Sequence, residues 1–229
     1  MLKLFCYPPL FGLIDNNPYG LKVATFLNLV GLDYEIEHLM DVSQAPRGQL
    51  PFISDDGEIM GDSNQILDYL TLKYNLQLDA DLSPAQRDLS LLILRMLDEH
   101  LYWIISYSRW SDPNCWPLFK REFLSHYPQV GEEGMEQIRT YNLNRYKFQG
   151  IGRYSPAEVY KKGCQNLEVL AHLLDDRPFL FGEQPHSIDA AAYAFLACIH
   201  YFELQSPLNQ FLLEKGNLAE YCDRIRSKY

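Results

Sequence analysis

The chain lacks the sequence features of secreted, zinc-binding and membrane-spanning proteins. Its five cysteines are odd in number and widely scattered, and no C-x-x-C pair occurs, so neither a disulfide framework nor a zinc site is predicted. The amino-terminal residues run into prolines without a hydrophobic core, so we expect no signal peptide. The longest apolar stretch, Leu89–Ile105, is interrupted by charged and polar residues, which predicts a buried helix and not a membrane span. We therefore expect a cytoplasmic protein that binds no metal.

Positive charge is also scarce. The 20 Lys and Arg residues face 30 Asp and Glu residues, which gives a formal net charge of −10. Because an acidic surface repels phosphate backbones and anionic lipids, we expect no nucleic-acid partner and no membrane partner. The 47% of hydrophobic residues is ordinary globular composition, and aromatic residues reach 14%, so a cleft walled by aromatic rings is expected.

The first third of the chain alternates between strand and helix patterns. Two apolar or alternating runs flank a helical period that begins at Pro18 and ends before Gly31. An Asp-Gly turn then joins two short strands into a hairpin, and Ser63 is predicted to cap the next helix. The order is βαβ followed by ββα, which is a thioredoxin-like plan. The predicted strands are Leu2–Tyr7, Tyr34–Leu39, 52–54 and 58–60.

The remainder of the chain shows only helical periodicity. The polar segment 75–83 is the predicted linker, which gives an α/β domain over residues 1–74 and an all-α domain over residues 84–229. Residues 108–130, rich in Trp and Pro, are predicted to be an irregular or short-helical insertion. The predicted helices are Pro84–Tyr107, Glu132–Phe148, Pro156–Leu174 and Ser187–Tyr201, and short helices are predicted to finish the chain near Asn217–Arg226.

Two short motifs in the α/β part carry a family resemblance. Gln49-Leu50-Pro51-Phe52, followed by Gly61-Asp62-Ser63, resembles the pattern of the glutathione S-transferase superfamily, in which a cis-proline precedes the third strand and an acidic-Ser pair opens the next helix. A cis X-Pro bond turns the preceding backbone N–H and C=O outward, where they can pair with an extended peptide. The resemblance implies that Leu50 and Pro51 contact glutathione, and that Asp62 and Ser63 hold its γ-glutamyl ammonium and carboxylate. Ser63 is alternatively a purely structural cap.

The helical part adds independent support for the resemblance. The run Phe179–Asp189 is similar to the transferase segment that leads into the central helix, where a capping residue lies three positions before an Asp. Here His186 holds the cap position, so either Ser187 caps in a shifted register or the imidazole does so, and Asp189 is structural. More narrowly, the chain resembles the metaxin-like branch that includes the failed axon connections proteins. The features are Tyr7–Leu13, 107–110 (Tyr-Ser-Arg-Trp), Trp116-Pro117, Gly150–Arg153 and Tyr221-Cys222.

A glutathione transferase must stabilise the glutathione thiolate, because the thiolate is the nucleophile. The family pattern opens the first helix with Ser-Pro-[Phe/Tyr]-Cys, whereas this chain has Asn17-Pro18-Tyr19-Gly20. Asn17 can donate an N–H to a thiolate but cannot form a mixed disulfide, which excludes dithiol chemistry at this position. Tyr7 is the alternative donor, or else a core aromatic, and Asn17 is also expected to cap the helix.

The remaining candidate site residues flank these motifs. Arg47 and Gln49 precede the cis-proline and are predicted to meet the glycine end of glutathione, although Arg47 is alternatively a surface charge. Tyr107, Arg109 and Trp110 are predicted to wall the pocket for the second substrate. Arg109 is alternatively stacked on a Trp, where it would fix the insertion.

The resemblance implies a glutathione transferase that uses glutathione as co-substrate, binds a small electrophile, needs no metal and forms a homodimer. The alternative is a non-catalytic binding or adaptor protein of the same fold, which the Asn at position 17 favours.

Overall fold

The computed structural model describes residues 1–203 and 205–228. Its amino-terminal part is a four-stranded sheet of order β2-β1-β3-β4, in which β1 runs parallel to β2 and antiparallel to β3. β1 and β2 are each one residue shorter at both ends than predicted, whereas β3 and β4 each extend one residue further. The strands are β1 Lys3–Cys6, β2 Glu35–His38, β3 Phe52–Asp55 and β4 Glu58–Gly61.

Two helices complete this part, α1 at Pro18–Val30 and α2 at Ser63–Lys73. Asn17 caps α1, Pro18 occupies its first position, and Gly31 ends it with a φ of 68° that suits a residue without a side chain. Most of α1 is buried, because one side packs on the sheet and the other on a helix of the second part. Asp62, not Ser63, caps α2: its carboxylate accepts hydrogen bonds from the N–H groups of the second and third helical residues. The cap is therefore one residue earlier than predicted, because Ser63 is already the first residue of the helix.

The second part is built from helices packed around one apolar core. The predicted long helix from Pro84 continues to Trp110, but a π-helical turn, Leu97–Leu101, divides it into two. In the interval predicted as irregular or short-helical, the described residues form an α-helix followed by a 3₁₀ turn at Pro128–Val130, and a further helix near residue 210 was missed. The helices are α3 Pro84–Met96, α4 Tyr102–Trp110, α5 Trp116–His126, α6 Gly131–Gln149, α7 Pro156–Leu174, α8 Ser187–His200, α9 Pro207–Glu214 and α10 Gly216–Lys228.

The central helix α8 is capped differently from either predicted alternative. The Asp189 carboxylate accepts hydrogen bonds from the backbone N–H of His186 and of Leu180, at 2.8 and 2.9 Å, so Asp189 is structural as predicted. The His186 imidazole turns away and pairs with Asp81. The carboxylate of Asp79 instead accepts from the N–H and hydroxyl of Ser187. The segment between α2 and α3 therefore fixes the start of α8.

The described residues contain no helix with the length and apolarity needed to cross a membrane. Within the same ranges, no group of three or more His, Cys, Asp or Glu side chains is arranged to hold a metal ion. The combination of a small mixed sheet and an all-helical part confirms the predicted fold class.

Candidate functional site

A cleft runs between the sheet and the helical part, and it consists of two adjoining cavities. The larger one, of about 460 Å³, is here called the polar cleft. The smaller one, of about 220 Å³, is called the apolar pocket. Both are lined by the same five side chains where they meet: Tyr7, Asn17, Tyr102, Tyr141 and Arg145.

The loop before α1 presents both candidate thiol-activating residues at this junction. The Asn17 side-chain oxygen accepts a hydrogen bond from the Tyr19 N–H at 3.1 Å, so the amide caps the helix as predicted. Its amide nitrogen remains available to donate toward the cavities. Tyr7 is half-buried and its hydroxyl forms no hydrogen bond with the residues that the structure describes. Burial raises the pKa of Tyr7 to about 12, so the hydroxyl stays protonated at neutral pH and can act as a donor.

Asp15 holds this loop from behind and was not found by sequence reasoning. Its carboxylate is fully buried and accepts hydrogen bonds from the backbone N–H of Asn17 at 2.7 Å and of Tyr7 at 3.3 Å. Burial raises the pKa of Asp15 to about 8, although both backbone hydrogen bonds and the charge of Arg109 oppose the rise. An Asp shortly before a predicted helix usually suggests an exposed helix cap, so the sequence did not indicate that Asp15 is buried.

Cys6 is the last residue of β1 and directly precedes Tyr7, so the two side chains face opposite sides of the sheet. The thiol is buried, 3.6 Å from His38 Nδ1, and burial raises its pKa far above the ordinary value. Cys6 is therefore an inert core residue and not an alternative nucleophile.

The polar cleft contains the predicted glutathione-binding motifs. The Leu50–Pro51 peptide bond is cis, and both residues line the cleft together with Ser63. Asp62 is exposed, with one carboxylate oxygen capping α2 and the other 3.5 Å from the guanidinium of Arg47. Gln49 is exposed on the same rim. The structure thus brings all six predicted residues, 47, 49–51, 62 and 63, to one cavity, and the roles assigned to them stay predictions.

A buried ion pair next to the polar cleft ties the two parts of the molecule together. The Lys22 ammonium of α1 is fully buried, 2.7 Å from the Asn64 side-chain oxygen and 3.4 Å from the Asp98 carboxylate. Asn64 in turn donates to Asp98 at 2.8 Å. Burial lowers the pKa of Lys22, and the neighbouring Asp98 carboxylate opposes that change. The π-helical turn carries Asp98 and so positions this contact.

The apolar pocket is walled by aromatic and aliphatic side chains of α4, α5 and α6. Trp110 lines it together with Ile105, Phe119, Phe123 and Ile138, and its role toward a second substrate stays a prediction. Tyr107 does not line it: the side chain is buried in the helical core and packs against Tyr146 and Tyr160 at ring-centroid distances of 6.0 and 6.5 Å. Helical spacing explains the error, because residues 105, 106, 109 and 110 share the pocket face and residue 107 lies on the other side.

Arg109 lines the pocket, but its guanidinium is already bound to the protein. It donates to the backbone oxygens of Asn16 and Cys198 and lies 5.0 Å from the Phe202 ring. The predicted alternative was an arginine stacked on a Trp. Arg109 does lie over an aromatic ring, but the ring is that of Phe202. Arg109 therefore connects the loop before α1 to α4 and α8.

Arg145 on α6 is a second arginine of the site, and sequence reasoning missed it. It lies at the junction of both cavities, over the rings of Tyr102, Trp103 and Tyr141 at 4.9–5.8 Å. In the sequence it lies in a polar helix with no motif around it, so only the fold could show where it points.

Comparisons with known proteins agree with this geometry. The family model described as the glutathione S-transferase N-terminal domain matches residues 18–115, and the C-terminal domain model matches residues 163–225. The isoprene-epoxide–glutathione S-transferase of Rhodococcus sp. (strain AD45) is 36% identical over 237 residues, covering 100% of this chain and 99% of that protein. The chain therefore belongs to the glutathione S-transferase superfamily.

Two further comparisons refine this assignment. Failed axon connections of Drosophila melanogaster is 35% identical over 228 residues, which are 93% of this chain and 54% of that protein, and metaxins are more distant relatives. Within the superfamily the chain thus falls in the metaxin-like branch, as predicted. A solved glutathione S-transferase from Rhodospirillum rubrum F11 superimposes with a TM-score of 0.64 at 18% identity, covering 99% of this chain and 88% of that one, which confirms the fold.

Proposed function

We propose that this chain is a glutathione transferase whose bound thiolate opens small, apolar epoxides. The observation that carries the proposal is the meeting of the polar cleft and the apolar pocket at Tyr7 and Asn17. The similarity over the full length to an isoprene-epoxide–glutathione S-transferase supports the choice of electrophile.

The polar cleft offers a partner for each part of glutathione. The hydroxyl and backbone N–H of Ser63, at the start of α2, suit the γ-glutamyl carboxylate, and the Asp62 oxygen that faces Arg47 suits the ammonium. The outward backbone groups of Leu50, before the cis-proline, suit the cysteinyl segment. Gln49 and Arg47 lie on the rim where the glycine carboxylate would emerge. This placement brings the sulfur to the junction of the two cavities.

At the junction the thiolate is stabilised by donors and by the helix terminus. The Asn17 amide and the Tyr7 hydroxyl can both donate to the sulfur, and the N-terminus of α1 adds positive potential. The thiolate attacks an epoxide carbon, the C–S bond forms, and the electron pair of the breaking C–O bond passes to oxygen. The resulting alkoxide takes a proton from water, which gives a hydroxy-thioether.

Asp62→Asn is the sharpest test of the glutathione site. Asn caps a helix about as well as Asp, so the variant keeps α2 intact and removes only the charge. A hydrogen bond to a charged group contributes about 1.5–3 kcal/mol, so we expect the glutathione Kd to rise roughly 10- to 100-fold by calorimetry. Asp68→Asn, exposed on the same helix, is the charge-matched control and should leave the Kd unchanged. Equal affinity in both variants would rule out the assigned site.

The second candidate function is a non-catalytic binding protein of the same fold. It is favoured by Asn17, because this residue stands where the family pattern has a Ser, and by the similarity to Failed axon connections. Saturable glutathione binding without turnover of any epoxide would favour it. The homodimer and the cytoplasmic location both stay predictions, and sedimentation of the purified chain tests the first of them.

A further inference from the structure

The apolar pocket contains positive charge that the glutathione site does not use. Two arginines, Arg109 and Arg145, line it. Arg109 is held by two backbone oxygens and the ring of Phe202. Arg145 forms no ion pair with any residue in the ranges 1–203 and 205–228, so its charge is not neutralised by a carboxylate. An arginine keeps its charge at all accessible pH values.

The protein holds the Arg145 guanidinium in place and leaves donors free. One terminal nitrogen donates to the Asn142 side-chain oxygen at 3.0 Å, and both terminal nitrogens lie 3.4–3.5 Å from the Tyr102 hydroxyl. Rings of Tyr102, Trp103 and Tyr141 surround the group. A guanidinium has five N–H donors, so these contacts do not exhaust it. The Nε–H forms no hydrogen bond with a described residue.

Arg145 lies at the junction of the two cavities, which is where the proposed function puts the reacting atoms. The γ-glutamyl and glycine ends are assigned to Ser63, Asp62 and the rim at Arg47, whereas Arg145 lies at the junction with Tyr7 and Asn17. Its charge is felt there: burial raises the pKa of Tyr7 to about 12, and Arg145 is among the groups that lower it.

We infer that Arg145 is a catalytic residue that donates to the oxygen of the second substrate while the C–O bond breaks. This inference rests on the proposed function and adds to it the group that assists departure of the epoxide oxygen. The thiolate supplies the electron pair of the new C–S bond, the C–O pair passes to oxygen, and the guanidinium stabilises the alkoxide without transferring a proton. Water then protonates the product.

The test compares two electrophiles that differ in their need for a donor. An epoxide releases a strongly basic alkoxide, whereas iodoethane releases iodide, which needs little stabilisation. Removing one preorganised donor from a developing oxyanion costs roughly 10²- to 10³-fold in kcat. For Arg145→Gln we therefore expect a fall of roughly that size with 1,2-epoxybutane, less than about a fivefold fall with iodoethane, and a glutathione Kd within about twofold of wild type.

Two further variants separate chemistry from structure. Arg145→Lys keeps the charge and the aliphatic stem, so it folds if Arg145→Gln does not, and we expect it to recover roughly tenfold of the lost epoxide turnover. Lys147→Gln removes one exposed positive charge from the same helix and should leave both reactions unchanged.

Three outcomes would overturn the inference. Equal losses with both electrophiles would make Arg145 structural, and a raised glutathione Kd with unchanged kcat would assign it to the glutathione site; both leave the proposed function standing. A wild-type protein that binds glutathione but opens no epoxide would remove the proposed function, and this inference with it.

Discussion

Gly20→Ala is expected to damage both stability and the candidate site, because a β-carbon at residue 20 would occupy the position of the buried carboxylate. Built on the backbone, that carbon would lie 1.8 Å from Asp15 Oδ2, 2.9 Å from its carboxyl carbon and 3.1 Å from Cys6 Cβ. Non-bonded carbon and oxygen atoms do not approach so closely, so the Asp15 side chain or α1 must move. The family pattern has a Cys in this position, and a Cys side chain would meet the same obstacle.

The magnitude follows from the two hydrogen bonds that hold Asp15. If the carboxylate turns away, the N–H groups of Tyr7 and Asn17 lose their partner, at a cost of about 1–3 kcal/mol for each one left buried. If α1 shifts instead, overpacking costs about 1–3 kcal/mol. Replacing a helical Gly by Ala returns about 0.5–1 kcal/mol. The less costly of the two relaxations sets the net effect, so we expect a loss of about 0.5–2.5 kcal/mol, or a Tm lower by roughly 1–10 °C.

A double-mutant cycle measured by urea unfolding checks this reasoning. In an Asp15→Ala background the obstacle is gone, so adding Gly20→Ala should be neutral or slightly stabilising there. Gly216→Ala is the matched control, because this glycine begins α10 and a β-carbon there meets nothing within 4 Å. The steric argument is refuted if Gly20→Ala costs no more than Gly216→Ala, or costs the same with and without Asp15.

Three further predictions concern buried charge and the thiol. Lys22→Met leaves the Asp98 carboxylate buried without its cation, so we expect a loss of about 3–5 kcal/mol in urea unfolding, and Lys22→Met/Asp98→Leu should recover most of it. Tyr7→Phe and Asn17→Ala should each raise the thiol pKa of bound glutathione by about one unit, measured by thiolate absorbance; if neither changes it, neither residue stabilises the thiolate. Burial raises the pKa of Asp15 to about 8 in the folded protein, so its contribution to stability is fully present below the ordinary pKa near 3.8 and is lost as pH rises from there through 8. Relative to Asp15→Asn, the unfolding free energy should therefore fall by up to about 1.4 kcal/mol per pH unit between about pH 4 and 8 and level off above pH 8, and parallel curves would contradict the assignment.

The parts of the fold that sequence predicted well are those with local signals. Asn17-Pro18 marks the start of α1 and Gly31 its end, and the Asp-Gly turn after Asp55 marks the hairpin, because each rests on backbone conformations that a few residue types favour. The cis peptide bond before Pro51 was predicted from a two-part motif, whose second part lies at the start of the next helix. The sequence predicts Ser63 as the cap of that helix, whereas Asp62 holds this position, because Ser and Asp cap equally well and a choice between neighbouring residues depends on the backbone geometry.

The missed site residues share one property: tertiary packing alone brings them to the cleft. Arg145 lies on α6 in a polar helix, and its position depends on how α4 and α6 pack. Asp98 lines the cleft because a π-helical turn changes which residues between α3 and α4 face it. The composition of residues 97–101 does not predict that turn. The prediction for Tyr107 was wrong for a related reason. The sequence predicts the helix that contains Tyr107, but it does not show which face of that helix lines the pocket.

The electrostatics of the junction bear on how a site without a Ser or Cys can support a thiolate. An ionised Asp15 behind Tyr7 and Asn17 would oppose a second negative charge on sulfur. Complete burial of Asp15, which the bare Gly20 permits, raises its pKa to about 8, so at pH 7 this carboxyl is mostly neutral. In the proposed site the positive potential of the α1 terminus then acts on the sulfur without an opposing charge from Asp15. Under the proposed function, the amide at position 17 and the Tyr7 hydroxyl add to this potential as hydrogen-bond donors to the thiolate. Turnover should accordingly rise with pH as the thiol ionises and level off or decline as Asp15 ionises above pH 8, whereas Asp15→Asn should keep rising.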